Sequence, residues 1–240
     1  MSTAEAEIEL ALVEVEKQMH FCQRSQNLYR EQEATAYLLK GAIASARAEA
    51  ANNLSDRDRQ NRIALNHFSR ALEIEPKNPE ILEYIAHQHQ ALDQLDLARE
   101  AYKELAALTQ DTPALRQQHY RAWLCMGNVL ERQYESNDRR TATLMSARDC
   151  LQKALDNLPA GARGQLDHAT IQECLGRVLE KLNKLTLPAQ HYGAALSIYQ
   201  EILRREPENQ EATAGLNRMC AALAAFHADD NPPDSPSPLN

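Results

Sequence analysis

Glycine and large aromatic residues are scarce in this 240-residue chain, which holds seven Gly, three Phe and one Trp. β-Branched residues are sparse too, while Ala, Leu, Glu and Gln, all good helix formers, dominate. The composition therefore argues against a strand-rich fold. No apolar run approaches the ~20 residues needed to span a bilayer, so no membrane insertion is expected. The N-terminal MSTAEAEIELALVEVE is acidic and amphipathic, unlike a secretory signal or an Arg-rich transit peptide. No CxxC is present. The five cysteines, Cys22, Cys125, Cys150, Cys174 and Cys220, are odd in number and far apart. They read as small buried hydrophobes in a reducing compartment, which makes a cytoplasmic location the expectation. No basic tract offers a nucleic-acid footprint.

Catalytic and metal motifs are missing as well. There is no HExxH, P-loop, GxGxxG or GxSxG. His87 and His89 are two residues apart, about 200° around a helix, and cannot chelate one ion; the same holds for His20 and Cys22. Gly161-Ala162-Arg163-Gly164 lacks the Lys-Ser/Thr of a phosphate cradle and reads as a loop. Carboxylates are spread along helix faces as solvation and i,i+4 pairing require. The expectation is a non-enzyme with no catalytic residue, no metal site and no cofactor.

What is present is a set of amphipathic helices with acidic ends. Residues 1–16 hold five Glu and no base, and 227–240 hold three Asp and no base. Together they supply the whole net charge of −8. Residues 2–30 read as a helix with Ile8, Ala11, Leu12, Val15, Met19 and Cys22 on one face. Helix continues over 34–52, with Tyr37, Leu38 and Leu39 as an apolar patch. A break falls at Asn52–Asp56, where Ser55 is the expected N-cap. Residues 210–226 form a last helix with Ala212, Leu216, Met219, Leu223 and Phe226 sharing a face. The tail 227–240 has four Pro and no aromatic residue, and is expected to be disordered.

Between these ends lies a repeat. Ala64, Phe68 and Ala71 form a stripe that stops at Pro76; Leu82, Ile85, Ala86 and His89 form the next; Ala98, Tyr102 and Leu105 form a third. Ala64 to Ala98, Phe68 to Tyr102 and Ala71 to Leu105 are each 34 residues apart. EPKNPE around Pro76 has a near copy, EPENQE, around Pro207. Trp123, Met126, Gly127 and Leu130, followed by Ala147, Leu151, Ala154 and Pro159, repeat the pattern with eight extra residues near Tyr134–Thr141. Leu175, Gly176 and Leu179 begin a further unit. Its second helix has two registers seven residues apart, Pro188/Tyr192/Ala195 and Ala195/Tyr199/Ile202, consistent with one long helix from about Pro188 to Arg205.

These stripes resemble tetratricopeptide (TPR) repeats, helix–turn–helix units of about 34 residues. The resemblance covers roughly 36–226. It implies an all-α fold: a right-handed α-solenoid of TPR-like antiparallel helix pairs, with an N-terminal helix and a C-terminal capping helix. The implied organisation is an N-terminal amphipathic helix (1–33), a repeat array (34–209, about four repeats), a capping helix (210–226) and the tail. It also implies a concave groove lined by first helices, holding a protein or peptide partner. Transferred residue by residue, the groove positions are Glu83, Tyr84, His87 and Gln90, then Leu124, Cys125, Asn128, Glu131 and Arg132, then Glu173, Cys174, Arg177, Glu180 and Lys181. Leu124 and Cys174 stand where a clamp for acidic C-terminal tails needs polar or basic groups, which argues against that sub-type. Trp123 occupies a packing position and is expected in the core. The expected function is a non-catalytic adaptor or scaffold; the alternative is an assembly or secretion chaperone, or an accessory subunit. The N-terminal helix offers a route to homo-oligomers.

Overall fold

The computed structural model describes residues 3–183 and 187–230, with side chains at 17–18, 22–136, 139–183 and 187–226. The described residues are helical, without strands. In order they are α1 (Thr3–Glu49), α2 (Leu54–Ile74), α3 (Pro79–Ala91), α4 (Leu95–Thr109), α5 (Arg116–Gln133), α6 (Thr141–Asp156), α7 (Leu166–Lys181), α8 (Leu187–Arg205) and α9 (Gln210–Asp230). The chain divides at Asp93–Gln94 into two compact units, each considered by itself.

In the first unit, α1 packs on α2 and α2 on α3. Ala64, Phe68 and Ala71 are wholly buried, joined by Ala44 of α1 and Ile81 and Ile85 of α3. Phe68 lies where a side chain on Gly41 would have to go, so glycine there lets α1 and α2 approach closely. The Gln88 side-chain amide of α3 donates to Ser45 Oγ of α1 at 2.7 Å. The helix expected over 2–30 and continuing from 34 is one element, α1, through residues 30–34. One expectation is corrected here: α2 is capped by Asn53 rather than Ser55, because the Asn53 Oδ1 accepts from the Asp56 N–H at 2.8 Å, placing Ser55 inside the first turn. At the next helix, Asn78 accepts from the N–H groups of Glu80 and Ile81, and Pro79 is its first residue.

In the second unit, successive helices α4 to α9 pack as antiparallel neighbours, and α5 with α7, and α7 with α9, also touch. Helices α5, α7 and α9 thus share a layer, as first helices of TPR-type units do. The repeat stripes are buried throughout: Ala98, Tyr102 and Leu105 on α4, and Ala147, Leu151 and Ala154 on α6. The extra residues after α5 form a π-helical turn, Tyr134–Asp138, before α6 begins. Both registers on α8 are used. Tyr192 faces Gly176 of α7, and Tyr199, seven residues on, faces Gly215 of α9. One long helix therefore serves two neighbours. α9 is longer than expected, reaching Asp230. Residues 227–230, expected within the disordered tail, are helical, and the rest of that tail, 231–240, lies outside the described residues.

Trp123, expected in the core, is half-buried at its edge: its indole N–H donates to His119 Nε2 at 3.1 Å, and the Lys153 ammonium sits 4.2 Å from its ring centre. Of the cysteines, Cys150 and Cys174 are buried and Cys125 half-buried, while Cys22 and Cys220 are exposed, against expectation. Cys22 lies on a stretch of α1 that α2 does not cover, and Cys220 points away from the side of α9 that packs on α8.

Candidate functional site

Helices α5, α7 and α9 enclose a recess of about 430 Å³, lined by Asn128, Glu173, Cys174, Arg177, Arg218 and Met219, with Tyr192 reaching in from α8. That volume is within the range of sites that hold part of a ligand or a few side chains. The groove positions on α5 and α7 follow from helical spacing: Asn128 and Arg132, and Arg177 and Lys181, are i,i+4 pairs.

The walls are held by charge. Glu131 and Glu173 are buried, at 5% and 3% exposure. Arg177 grips Glu131 with two nitrogens, at 3.2 and 3.0 Å, and reaches Glu173 Oε1 at 3.3 Å. Lys181 donates to Glu131 at 2.7 Å and also pairs with Glu135. Arg218 of α9 grips Glu173 with two nitrogens at 2.7 and 3.0 Å, and the Tyr199 hydroxyl donates to the same carboxylate at 2.8 Å. Two buried carboxylates and three cations thus tie α5, α7 and α9 together, the fork of each arginine matching a carboxylate.

Protonation follows from these contacts. Burial pushes the Glu131 carboxyl up, but hydrogen bonds and charge from Arg177 and Lys181 outweigh it and leave its pKa below the usual value. Burial likewise opposes the charged form of Lys181, and its two glutamates overcome that and raise its pKa. The Cys174 thiol is pushed up to about 11, by burial first, and so stays protonated. It is no nucleophile at neutral pH.

One polar atom stands outside this network. Asn128 Oδ1 is buried in the recess without a hydrogen-bond partner. A desolvated amide oxygen is costly to leave unpaired, and it calls for an N–H donor. The apolar surfaces beside it are Met219 and Ala222. Since Arg177 and Arg218 are already engaged by carboxylates, an acidic ligand would have to compete with Glu131 and Glu173. The arrangement suits a neutral segment that brings an N–H and an apolar side chain.

The sequence-derived positions fall as follows. Glu83, Tyr84, His87 and Gln90 lie on α3 in the first unit. Tyr84 is half-buried and stacks on Phe68 with ring centres 4.9 Å apart, and Glu83 lies 3.9 Å from His87. Asn128, Arg177, Glu173 and Cys174 come together in the recess, with Glu131 and Lys181 behind them. Arg132 and Glu180 are exposed, and Glu180 accepts the Tyr192 hydroxyl at 2.7 Å. Leu124 is buried and Cys125 half-buried. Sequence reasoning missed Tyr192, Arg218 and Met219 as recess residues. The usable signal is EPENQE: it stands before α9 as EPKNPE stands before α3, marking α9 as the first helix of another unit and giving its side chains groove positions.

Among the described residues no group of His, Cys, Asp or Glu could hold a metal ion, and no helix is long and apolar enough to cross a membrane.

Antiparallel helix pairs closed by small residues, with first helices side by side around a recess, define a TPR-like all-α repeat fold, and solved structures agree. The chain is similar to the MamA protein at 15% identity and a TM-score of 0.53, over 88% of this chain and 98% of that one. It is similar to the nearly identical TPR-like repeats of a protein assigned as a kinesin light chain in Podosopora anserina, at 12% identity and a TM-score of 0.53, over 83% of this chain and 98% of that one. A point variant of the latter gives 12% identity and a TM-score of 0.54, over 82% and 97%. These likenesses establish the fold. No family model matches the chain, and no curated protein matches it either.

Proposed function

We propose that the chain is a non-catalytic adaptor or scaffold that holds a neutral, extended segment of a partner protein in the recess between α5, α7 and α9. The observation that carries this reading is the unpartnered Asn128 Oδ1. It is placed beside Met219 and Ala222, in a recess whose charges are already satisfied by one another. A backbone N–H of a bound segment supplies the missing donor, and an apolar side chain covers Met219. The rigid ion-pair walls keep the site formed before binding, which limits the ordering cost. No chemistry is required of any residue.

The test is peptide display against the immobilised full chain, followed by affinity measurements on the enriched sequences with wild type, Asn128→Leu and Met219→Trp. Both variants are expected to weaken binding at least tenfold. Asn128→Leu removes a buried unpaired acceptor, so its Tm is expected to equal or exceed that of wild type. Enriched peptides that bind both variants as well as wild type would place the interface elsewhere and sink the reading.

A second reading, an assembly or secretion chaperone or an accessory subunit of a larger complex, is favoured by α1. Its exposed Leu28 and Tyr29, 57% and 70% accessible, offer a surface outside the recess.

A further inference from the structure

α1 has 47 residues and the helix it packs on, α2, has 21. At ~1.5 Å per residue these are about 70 and 31 Å long. The stripe that faces α2 begins at Ala34 and continues through Tyr37, Leu38, Ala44 and Ala48. On the N-terminal side of Ala34, every described side chain from Cys22 to Glu33 is exposed. More than half of α1 therefore extends past α2.

The sequence of that extension is self-complementary about Lys17 in two independent ways. The first is register. Ile8, Leu12, Val15, Met19, Cys22, Gln26 and Tyr29 recur at alternating steps of four and three residues, the spacing of a coiled-coil seam. Laid against a reversed copy centred on Lys17, the seam matches itself: Val15 meets Met19, Leu12 meets Cys22, and Ile8 meets Gln26. Each match pairs the two different seam positions of the heptad, as antiparallel helices require. The second is charge. Residues 5–16 carry five Glu and no base, whereas 17–30 carry Lys17, Arg24 and Arg30 and no acid. A reversed copy lays the acidic half on the basic half and brings Glu9 of each copy toward Arg30 of the other beside the seam, while Lys17 and Arg24 lie on the outer side of the helix. A parallel copy in register would set five glutamates beside five glutamates.

We propose that the N-terminal part of α1, residues 5–30, is an antiparallel dimerisation helix whose occupant is the same segment of a second copy of this chain. The interface is isologous, with its two-fold axis near Lys17, and it closes at two copies because each segment is used up by the other. The Ile8–Gln26 layers place one polar residue near each end of the seam, which disfavours staggered pairings. The proposal is independent of the recess, which lies on other helices.

Sedimentation equilibrium on the full chain over a hundredfold range of concentration tests it. A monomer–dimer equilibrium is expected, weaker at high salt because the complementary charges are exposed to screening. A chain that is monomeric throughout overturns the proposal. Orientation is read by cross-linking in a Cys220→Ser background. Leu12→Cys should trap a disulfide dimer joining position 12 to Cys22 of the other copy. A Cys22–Cys22 link with Leu12 intact would show parallel pairing and overturn the proposal. Charge is read by mixing. Glu9→Lys and Arg30→Glu, at positions that flank the seam, should each weaken the dimer at least tenfold alone and form a one-to-one dimer when combined. Since either variant shown helical by circular dichroism still has the seam, failure of the mixture to pair also overturns it.

Discussion

Glu173 receives four hydrogen bonds, one from Arg177, two from Arg218 and one from Tyr199, and is 4% exposed at its side chain. Glu173→Gln keeps the shape but removes the charge those donors surround. Both arginines keep some solvent, so the loss is expected to be about 2–3 kcal/mol rather than the full cost of breaking a dry pair. Urea unfolding of the variant beside wild type measures it, and a loss under a few tenths of a kcal/mol would mean the network is solvated and dispensable. Buried titratable groups elsewhere in the second unit add a pH response. His168 and His191 are depressed below the ordinary 6.5, by burial first and, for His168, by Arg163 as well. A depressed pKa gives stability that is complete above the unfolded value and lost as pH falls through the folded one. Glu131, depressed below 4.5, acts the same way further into acid. Cys150 and Cys174 are raised from 9.0 to about 11, so their contribution is complete below 9 and lost as pH rises toward 11. Thermal melts across pH are therefore expected to give a Tm that is flat from about pH 6.5 to 9 and falls on both sides. In His168→Gln the fall just below pH 6.5 should be shallower, because one of the rings that must take up a proton is gone; an unchanged acid limb would mean that His168 titrates in the fold as it does in the unfolded chain. Spacing alone is enough to put Asn128 beside Arg132 and Arg177 beside Lys181. It does not show that Glu131 turns inward, because burial of a carboxylate depends on cations from another helix.

At the scale of the element, α8 is the informative case. Its two overlapping stripes look like rival registers in the sequence, and both are real: Tyr192 closes on Gly176 and Tyr199 on Gly215. The stripes are legible because burial on a helix leaves a periodic trace; their assignment to different neighbours is not, since that is decided by packing. Glycines on α7 and α8 give opposite predictions. A Cβ on Gly176 would collide with the Tyr192 ring, and Gly176→Ala is expected to lower stability by about 1–3 kcal/mol even after its gain in helix propensity. Gly193, also helical, has nothing within 4 Å of an added Cβ, so Gly193→Ala is expected to raise stability by about 0.5–1 kcal/mol. Ala98→Leu tests α4 similarly: Ala98 is wholly buried, and overpacking there is expected to cost about 1–3 kcal/mol. Thermal melts of the three variants decide all of these, and equal shifts at Gly176 and Gly193 would deny that Tyr192 needs the glycine. The missed N-cap has a plain cause. Asn53 and Ser55 are both good caps two residues apart, and only the backbone at Asn53, extended at φ −135° and ψ 155°, decides between them.

For the whole molecule, the fold is legible because it is written in residue size, not identity. Alanines and glycines mark close approaches and tyrosine, phenylalanine or leucine fills the gaps, so solved structures match at 12–15% identity while no family model does. The proposed association is written in charge and register, and it reaches the melting behaviour. If α1 pairs with a second copy, the folded dimer is favoured by mass action, and the Tm of the full chain rises with protein concentration. A chain beginning at Glu31 lacks residues 5–30 but keeps the described side chains that pack on α2, which start at Ala34. Its Tm should be independent of concentration and equal to that of the full chain at high dilution, with helical signal lost for the missing turns alone. Differential scanning calorimetry at two concentrations distinguishes the cases. Concentration dependence that survives the truncation would move the contact to another surface. A truncated chain that melts below the diluted full chain would mean that residues 1–30 pack within their own chain, leaving no free helix for a second copy.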